Sequence, residues 1–277
     1  MIKACPYGQA FIYIFTIGEI MKATLITGAS GGLGKAFSKI YAENGNNLLL
    51  VSTSSDKLAA LKDELENEYK VSIDYIAADL SEKKECEKVF SYAKEKGYFV
   101  NNLVNGAGFG DRTDFKEMNV DLQMKMIAVN CSALLYFTRV FIDDMLKYNE
   151  GHIVNVGSLA GFVPGPYMCT YHASKAFVLN LGESIAHEIR KTKVKILTLC
   201  PGPFESGFVA KAKNDWTFKK IKPVSAEKVA KFAYKKSIKG KRVAIVGFGN
   251  KITAFAPRFF SRKFVAAVSA GTLKKGD

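Results

Sequence analysis

Between Thr24 and Val194, short apolar runs alternate with longer stretches in which apolar residues return at helical spacing, the signature of stacked β-α-β units. The short runs predict strands at Ala23–Thr27, Asn47–Ser52, Val71–Ala77, Asn102–Asn105, His152–Val156, Lys195–Cys200 and Arg242–Val246. They are apolar and often β-branched, as parallel strands buried on both faces should be. The longer stretches predict helices at Leu33–Asn44, Asp56–Tyr69, Ser81–Lys96, Asp121–Tyr148, Tyr171–Lys191 and Ala226–Ile238. Each crossover is long enough for a right-handed parallel connection. The expected fold class is α/β, a doubly wound seven-stranded parallel sheet with helices on both faces.

Three stretches break this rhythm: 109–119 after the fourth strand, 201–224 after the sixth, and the tail from Gly247. Ligands of open parallel sheets sit beyond the strands' carboxyl ends, where the first two of these begin. Residues 204–224 carry lysines among Phe208, Trp216 and Phe218 and are expected to form a substrate lid. The 277 residues fit one large domain, about 21–250, better than two. Met21 begins a segment that reads directly into the first strand, so residues 1–20 are expected to be an appended extension. Within them, the apolar stretch Ala10–Gly18 is too short to span a bilayer. Residues 251–277 form a basic amphipathic tail in which Arg258, Arg262 and Lys263 stand among aromatics. It is expected to cover the pocket or an oligomer interface, with a membrane-surface helix as the alternative.

Lysine and arginine outnumber aspartate and glutamate 40 to 26, a formal charge of +14. The cations are scattered through amphipathic segments such as Ser81–Lys96, so the expectation is a solvated basic surface and no nucleic-acid partner. The five cysteines are odd in number and widely spaced, with no C-x-x-C pair. That argues against a disulfide framework and a metal site, and fits a reducing cytoplasm.

The chemistry concentrates in a few motifs. Thr27-Gly28-Ala29-Ser30-Gly31-Gly32-Leu33-Gly34 follows a strand and precedes a helix, the context of a dinucleotide-binding turn. Its glycines permit tight turning and close approach of a pyrophosphate to the helix N-terminus, although a structural loop would use glycines too. A second glycine-bearing turn, Asn105-Gly106-Ala107-Gly108, ends the fourth strand and would border the same crevice. Asp79 and Leu80 follow the third strand, where a carboxylate or its adjacent backbone can hold an adenine ring; the other reading of Asp79 is a helix cap. Tyr171 and Lys175 stand one helical turn apart. A free phenol, with a pKa of roughly 10, is a poor acid or base at neutral pH, and a nearby cation that stabilises the phenolate is its natural partner. Asn130 and Ser158 complete the candidate reaction centre; alone, each of the four residues has an ordinary structural reading.

Taken in order from about Ala23 to Val246, these motifs resemble those of classical short-chain dehydrogenases/reductases, with their T-G-x-x-x-G-x-G turn and Y-x-x-x-K pair. The resemblance implies a Rossmann-type fold and an NAD(P)-dependent oxidoreductase that moves a hydride between nicotinamide C4 and a carbonyl or secondary alcohol. It implies cofactor contacts from Thr27, Gly28, Ser30, Gly32, Leu33, Gly34, Thr53, Ser54, Asp79, Leu80, Asn105, Gly106 and Ala107. Tyr171, Lys175, Pro201, Gly202, Phe204 and Ser206 would add to them. It also implies that Tyr171 passes the proton, Ser158 orients the oxygen, Lys175 lowers the phenol pKa and bonds the nicotinamide ribose, and Asn130 holds a relay water. Two departures stand out. Gly106 replaces a second asparagine whose amide normally helps fix the central strands, and Ser206 stands in for a threonine after Pro201-Gly202.

An acidic residue at the end of the second strand would favour NAD(H), and none stands at Ser52 or Thr53. Asp56 is read as the cap of the following helix. The expectation is NADP(H), with NAD(H) possible. Phe162, Val163, Pro164, Met168, Phe204, Phe208 and Trp216 would surround an apolar ketone or acyl derivative. The resemblance suggests a homodimer or homotetramer built through the long helices at 121–148 and 171–191. A non-catalytic dinucleotide sensor on the same fold is the main rival reading.

Overall fold

The computed structural model describes residues 21–204 and 223–273. The expected N-terminal extension and most of the expected lid, including Ser206, Phe208 and Trp216, lie outside the described residues. Among the described residues the strands are β1 (Met21–Thr27), β2 (Asn47–Ser52), β3 (Ile73–Ala77), β4 (Tyr98–Asn105), β5 (His152–Val156), β6 (Lys195–Cys200) and β7 (Val243–Ile245). They pair in parallel in the order β3-β2-β1-β4-β5-β6-β7. This is the doubly wound Rossmann-type sheet that the sequence predicts. The order reverses between β1 and β4, and the connections leaving those two strands part to open a crevice at their carboxyl ends.

Strand periodicity explains the two-sided core. In β2, Leu48 and Leu50 pack on one face while Leu49 and Val51 pack on the other, all four fully buried. The first face is covered by α1 (Gly32–Glu43), α2 (Ser55–Glu68) and α7 (Ala226–Ile238), the second mainly by α3 (Lys83–Glu95) and α5 (Leu134–Tyr148), with the end of α6 (Cys169–Glu188). Helix α1 shows the pattern behind this. Leu33, Ala36, Phe37, Ile40 and Tyr41 recur at three- and four-residue spacing, forming one buried stripe.

The structure adjusts three predictions. Strand β4 begins at Tyr98, four residues before the predicted start. Polar Asn101 and Asn102 interrupt its apolar run, yet backbone pairing with β1 from Met21↔Tyr98 onward sustains the strand. The single helix predicted at Asp121–Tyr148 is α4 (Val120–Ile127), a π-helical turn at Ala128–Ala133, and α5. By length and composition Val120–Tyr148 could cross a membrane, but half of its apolar window is buried inside the protein. Finally, α2 begins at Ser55 with Ser54 at its cap position, so Asp56 sits within the first turn instead of capping it. The tail forms two short helices, α8 (Phe248–Phe255) and α9 (Arg262–Leu273), joined by a 3₁₀ turn at Ala256–Phe259.

Candidate active site

The two glycine turns interlock at the crevice. Gly28 has φ +71°, and a Cβ on it would lie 2.9 Å from Ala107 Cα. At Gly34 a Cβ would fall 2.1 Å from the Gly28 carbonyl oxygen, and at Gly106 it would fall 2.8 Å from that of Thr27. Only glycine allows backbone to meet backbone this closely. Thr27 fastens the two turns, its Oγ1 accepting from the N–H groups of Gly106 at 3.0 Å and Ala107 at 3.1 Å. Thr27, Gly106 and Ala107 therefore shape the crevice instead of offering these donors to a ligand. Above them α1 begins at Gly32, with Gly31 at its cap position, no side-chain cap and no carboxylate in its first turn. Gly31 and Gly32 are exposed, and Ser30 is half-buried beside them, so the positive end of the helix is open to an anion. These features fit the pyrophosphate of a dinucleotide. Leu33 is buried in the core and supports the turn from below.

The four candidate catalytic residues come from three separate elements. Ser158 follows β5 and caps a 3₁₀ turn, its Oγ accepting from Ala160 N–H at 3.1 Å. The Tyr171 phenol on the first turn of α6 is hydrogen-bonded to the Ser158 side chain. One turn later Lys175 is buried, with Nζ donating to the Val156 carbonyl at 2.8 Å and lying 5.7 Å from the Tyr171 ring centroid. Burial brings the Lys175 ammonium down to about 8, against opposing pulls from Cys131 and Cys200. Burial likewise pushes the Tyr171 phenol up to about 12, while the Ser158 bond draws it down. Burial dominates the shift of Tyr171, the Ser158 bond is what opposes it, and the Lys175 ammonium donates to Val156.

Asn130 projects from the π turn, a widened helical turn of the kind often found at functional sites. Its Nδ2 donates to the Phe109 carbonyl at 2.9 Å and to Ser174 Oγ at 3.0 Å, and its Oδ1 accepts from Phe109 N–H at 3.1 Å. It thereby fastens the loop after β4 to α6. Asn130 Oδ1 and Lys175 Nζ both border Gly108, where an added Cβ would lie 3.0 Å from one and 3.5 Å from the other.

The remaining sequence candidates divide. The Asn105 amide turns into the sheet, donating to Asn155 Oδ1 at 2.9 Å and Thr138 Oγ1 at 3.1 Å. It ties β4 to β5 and α5, and only Asn105 backbone is left for the crevice. Asp79 is exposed, but its Oδ1 accepts from Ser81 N–H at 3.0 Å and Ser81 Oγ at 2.8 Å, bonds that hold the carboxyl below its usual range. Its geometry is that of a turn. Leu80 is buried against the core. Thr53 lies exposed at the end of β2, next to Ser54, whose N–H donates to Ser52 Oγ at 3.3 Å. The Pro201 carbonyl accepts from Leu159 N–H at 3.1 Å and joins the loops after β5 and β6. Gly202 sits against Asn250 of α8, and Phe204 bridges to Val224.

The tail, expected to cover the pocket or an oligomer interface, reaches this site through Leu273, a residue the sequence did not single out. Leu273, at the end of α9, packs with Met168 against Tyr167 and Tyr171, and its carbonyl accepts from Arg112 Nε at 2.6 Å. Tyr167 adopts φ +68°, a left-handed conformation rare for an aromatic residue, with its carbonyl accepting from Thr113 N–H at 2.9 Å. Phe162 and Pro164 line a cavity of about 240 Å³ with Ala254, Pro257, Arg258 and Arg262. The nearest local cue, the φ of Tyr167, has no sequence signature.

Residues 22–217 match the sequence profile of the family described as short chain dehydrogenase. An uncharacterised oxidoreductase of Staphylococcus saprophyticus is 28% identical over 213 residues, 76% of this chain and 90% of its own length. A short-chain dehydrogenase from Sphingobium yanoikuyae, solved in complex with NADPH, superposes with a TM-score of 0.78 at 25% identity, covering 86% of this chain and 93% of that one. The bulky-bulky ketone specific alcohol dehydrogenase of Comamonas testosteroni gives 0.72 at 26% identity over 82% and 86%. With the interlocked glycine turns and the Ser158, Tyr171 and Lys175 cluster, the match over most of its length shows that this chain belongs to the short-chain dehydrogenase family of oxidoreductases.

Proposed function

We propose that the chain is an NADP(H)-dependent reductase or dehydrogenase acting on the carbonyl or secondary alcohol of an apolar substrate. The observation that carries this reading is the Tyr171 phenol, bonded to Ser158 and within 5.7 Å of Lys175, at the end of the glycine-lined crevice. When bound, the nicotinamide ring supplies or accepts the hydride. Ser158 and Tyr171 both bond the substrate oxygen, and the phenol gives up its proton as that oxygen gains charge during reduction. The Lys175 ammonium, 5.7 Å from the Tyr171 ring centroid, offsets the negative charge left on the phenolate. Asn130 Oδ1, close to Gly108 as Lys175 Nζ is, would hold a water through which a proton returns from solvent.

Ser52, Thr53 and Ser54 supply hydroxyls and no carboxylate at the end of β2, which accommodates a ribose 2′-phosphate without repulsion. The NADPH complex of the Sphingobium relative is in keeping with this preference. Fluorescence titration with NADPH and NADH tests it, and tighter NADH binding would overturn it. Paired with a panel of apolar ketones, the same preparation tests the reaction. Cofactor binding without turnover of any carbonyl would instead support a sensor. Homo-oligomerisation through α4 to α6 is proposed from Met124, Leu135 and Phe177, exposed there around a hollow of about 430 Å³ lined by Ile127, Cys131 and Ala173.

A further inference from the structure

We propose that the α8–α9 tail is a docking surface for anionic lipid membranes, an interaction that stands apart from the reaction proposed above. The tail has two faces. Ala254 and Leu273 turn inward, Leu273 reaching Met168 and Tyr171, and these contacts fix the two helices on the body of the protein. Outward, Phe248, Ile252, Phe255 and Phe259 recur at helical spacing along α8 and the turn, each between 53% and 78% exposed. A second stripe, Phe260 just before α9 with Phe264 and Val268 on it, is 52–53% exposed and meets the first at the adjacent Phe259 and Phe260. The rings associate with one another, at 5.3 Å for Phe255–Phe259 and 5.1 Å for Phe260–Phe264, without being covered. So large an unscreened aromatic surface is unusual on a soluble face and marks an interaction site.

The charges choose the occupant. Residues 247–273 contain Lys251, Arg258, Arg262 and Lys263 and no aspartate or glutamate. All four cations are exposed, and Arg258 lies over the Phe255 ring at 5.3 Å. Phenylalanine flanked by cations on a short amphipathic helix is the composition of interfacial membrane helices. A second copy of this chain fits less well. A twofold contact through this face would set its four cations against four more, with no carboxylate of the segment to pair them. An anionic headgroup layer supplies the opposite charge everywhere along the face, strengthening binding roughly fivefold per cation.

Co-sedimentation of the full chain with vesicles tests this. The protein should pellet with phosphatidylcholine–phosphatidylglycerol vesicles, less with phosphatidylcholine alone, and less as salt is raised. Phe259→Ser with Phe260→Ser should abolish pelleting, and Lys251→Gln with Lys263→Gln should weaken it roughly 25-fold. These side chains are exposed, and unchanged circular dichroism would verify that both variants fold. Failure to pellet with the anionic vesicles overturns the proposal, as does pelleting that both variants leave intact. Self-association in sedimentation velocity that Phe259→Ser with Phe260→Ser removes, without vesicle binding, would show that a second copy covers the face instead.

Discussion

Lys175 should cost the fold stability at neutral pH, and replacing it with methionine should reveal by how much. Burial brings its ammonium from an ordinary 10.5 to about 8, a gap equivalent to about 3 kcal/mol at 1.36 kcal/mol per pH unit. The folded protein therefore binds this proton more weakly than the unfolded chain does. Between about pH 8 and 10.5 the unfolded chain holds more protons, so the wild-type gains stability from this group as pH rises. Lys175→Met removes the penalty but leaves the Val156 carbonyl without its 2.8 Å donor, a loss of about 1–3 kcal/mol. Those effects nearly offset at neutral pH, and a single measurement there decides little. The pH dependence does decide, because the Val156 loss does not titrate. Urea unfolding of both proteins should show their stability difference moving by about 2–3 kcal/mol in favour of wild-type between about pH 7 and about pH 10. A difference that stays constant across that window would refute the reasoning that Lys175 is a buried cation held against its desolvation cost.

Tyr171→Phe should lower carbonyl turnover roughly 10²–10⁴-fold while leaving the fold intact, and a purified variant with full activity would remove the tyrosine from the mechanism. For reduction, kcat/KM should fall as pH rises above about 8, where Lys175 loses its charge; Lys175→Arg should shift that fall upward, and a profile indifferent to the substitution would count against the lysine's role. Gly34→Ala places a methyl 2.1 Å from the Gly28 carbonyl, so it should destabilise the fold by about 1–3 kcal/mol and weaken NADPH binding; unaltered titration curves would show that the turn can relax. Asn105→Ala leaves Asn155 Oδ1 and Thr138 Oγ1 without their donor and should cost about 1–3 kcal/mol in denaturant unfolding, an expectation that wild-type stability would sink.

The catalytic cluster and the tail stand in different relations to the rest of the chain. Ser158 caps the 3₁₀ turn that follows β5, and Tyr171 and Lys175 sit on α6, which packs on that turn and on β6. Leu273 arrives from the far end of the chain and is held by Arg112 across 161 positions. A site closed in this way has one wall that can differ between relatives while the reacting groups remain alike. That physical separation is consistent with one family serving many substrates.

Strand count and the placing of the glycine turn were legible because each rests on a local regularity: two-sided apolar runs, helical stripes such as Leu33 to Tyr41, and glycines where only glycine fits. The candidate reaction centre was legible for the same reason, since Tyr171 and Lys175 share a helix face and Ser158 ends a strand. What the sequence could not reveal depends on desolvation and on distant packing. That the Tyr171 phenol rises to about 12 and Lys175 falls to about 8 follows from the desolvation that folding imposes on a half-buried tyrosine and a buried lysine, which no spacing encodes. That Asn105 turns into the sheet, that Asn130 stands in a π turn, and that Leu273 closes over Tyr171 were decided by contacts among residues tens to more than a hundred positions apart. Local pattern selected the elements and their order, because hydrogen bonding and apolar periodicity act within a few residues. Tertiary structure alone set the protonation, the orientation of shared amides and the wall of the pocket, because these depend on which distant groups exclude water from one another.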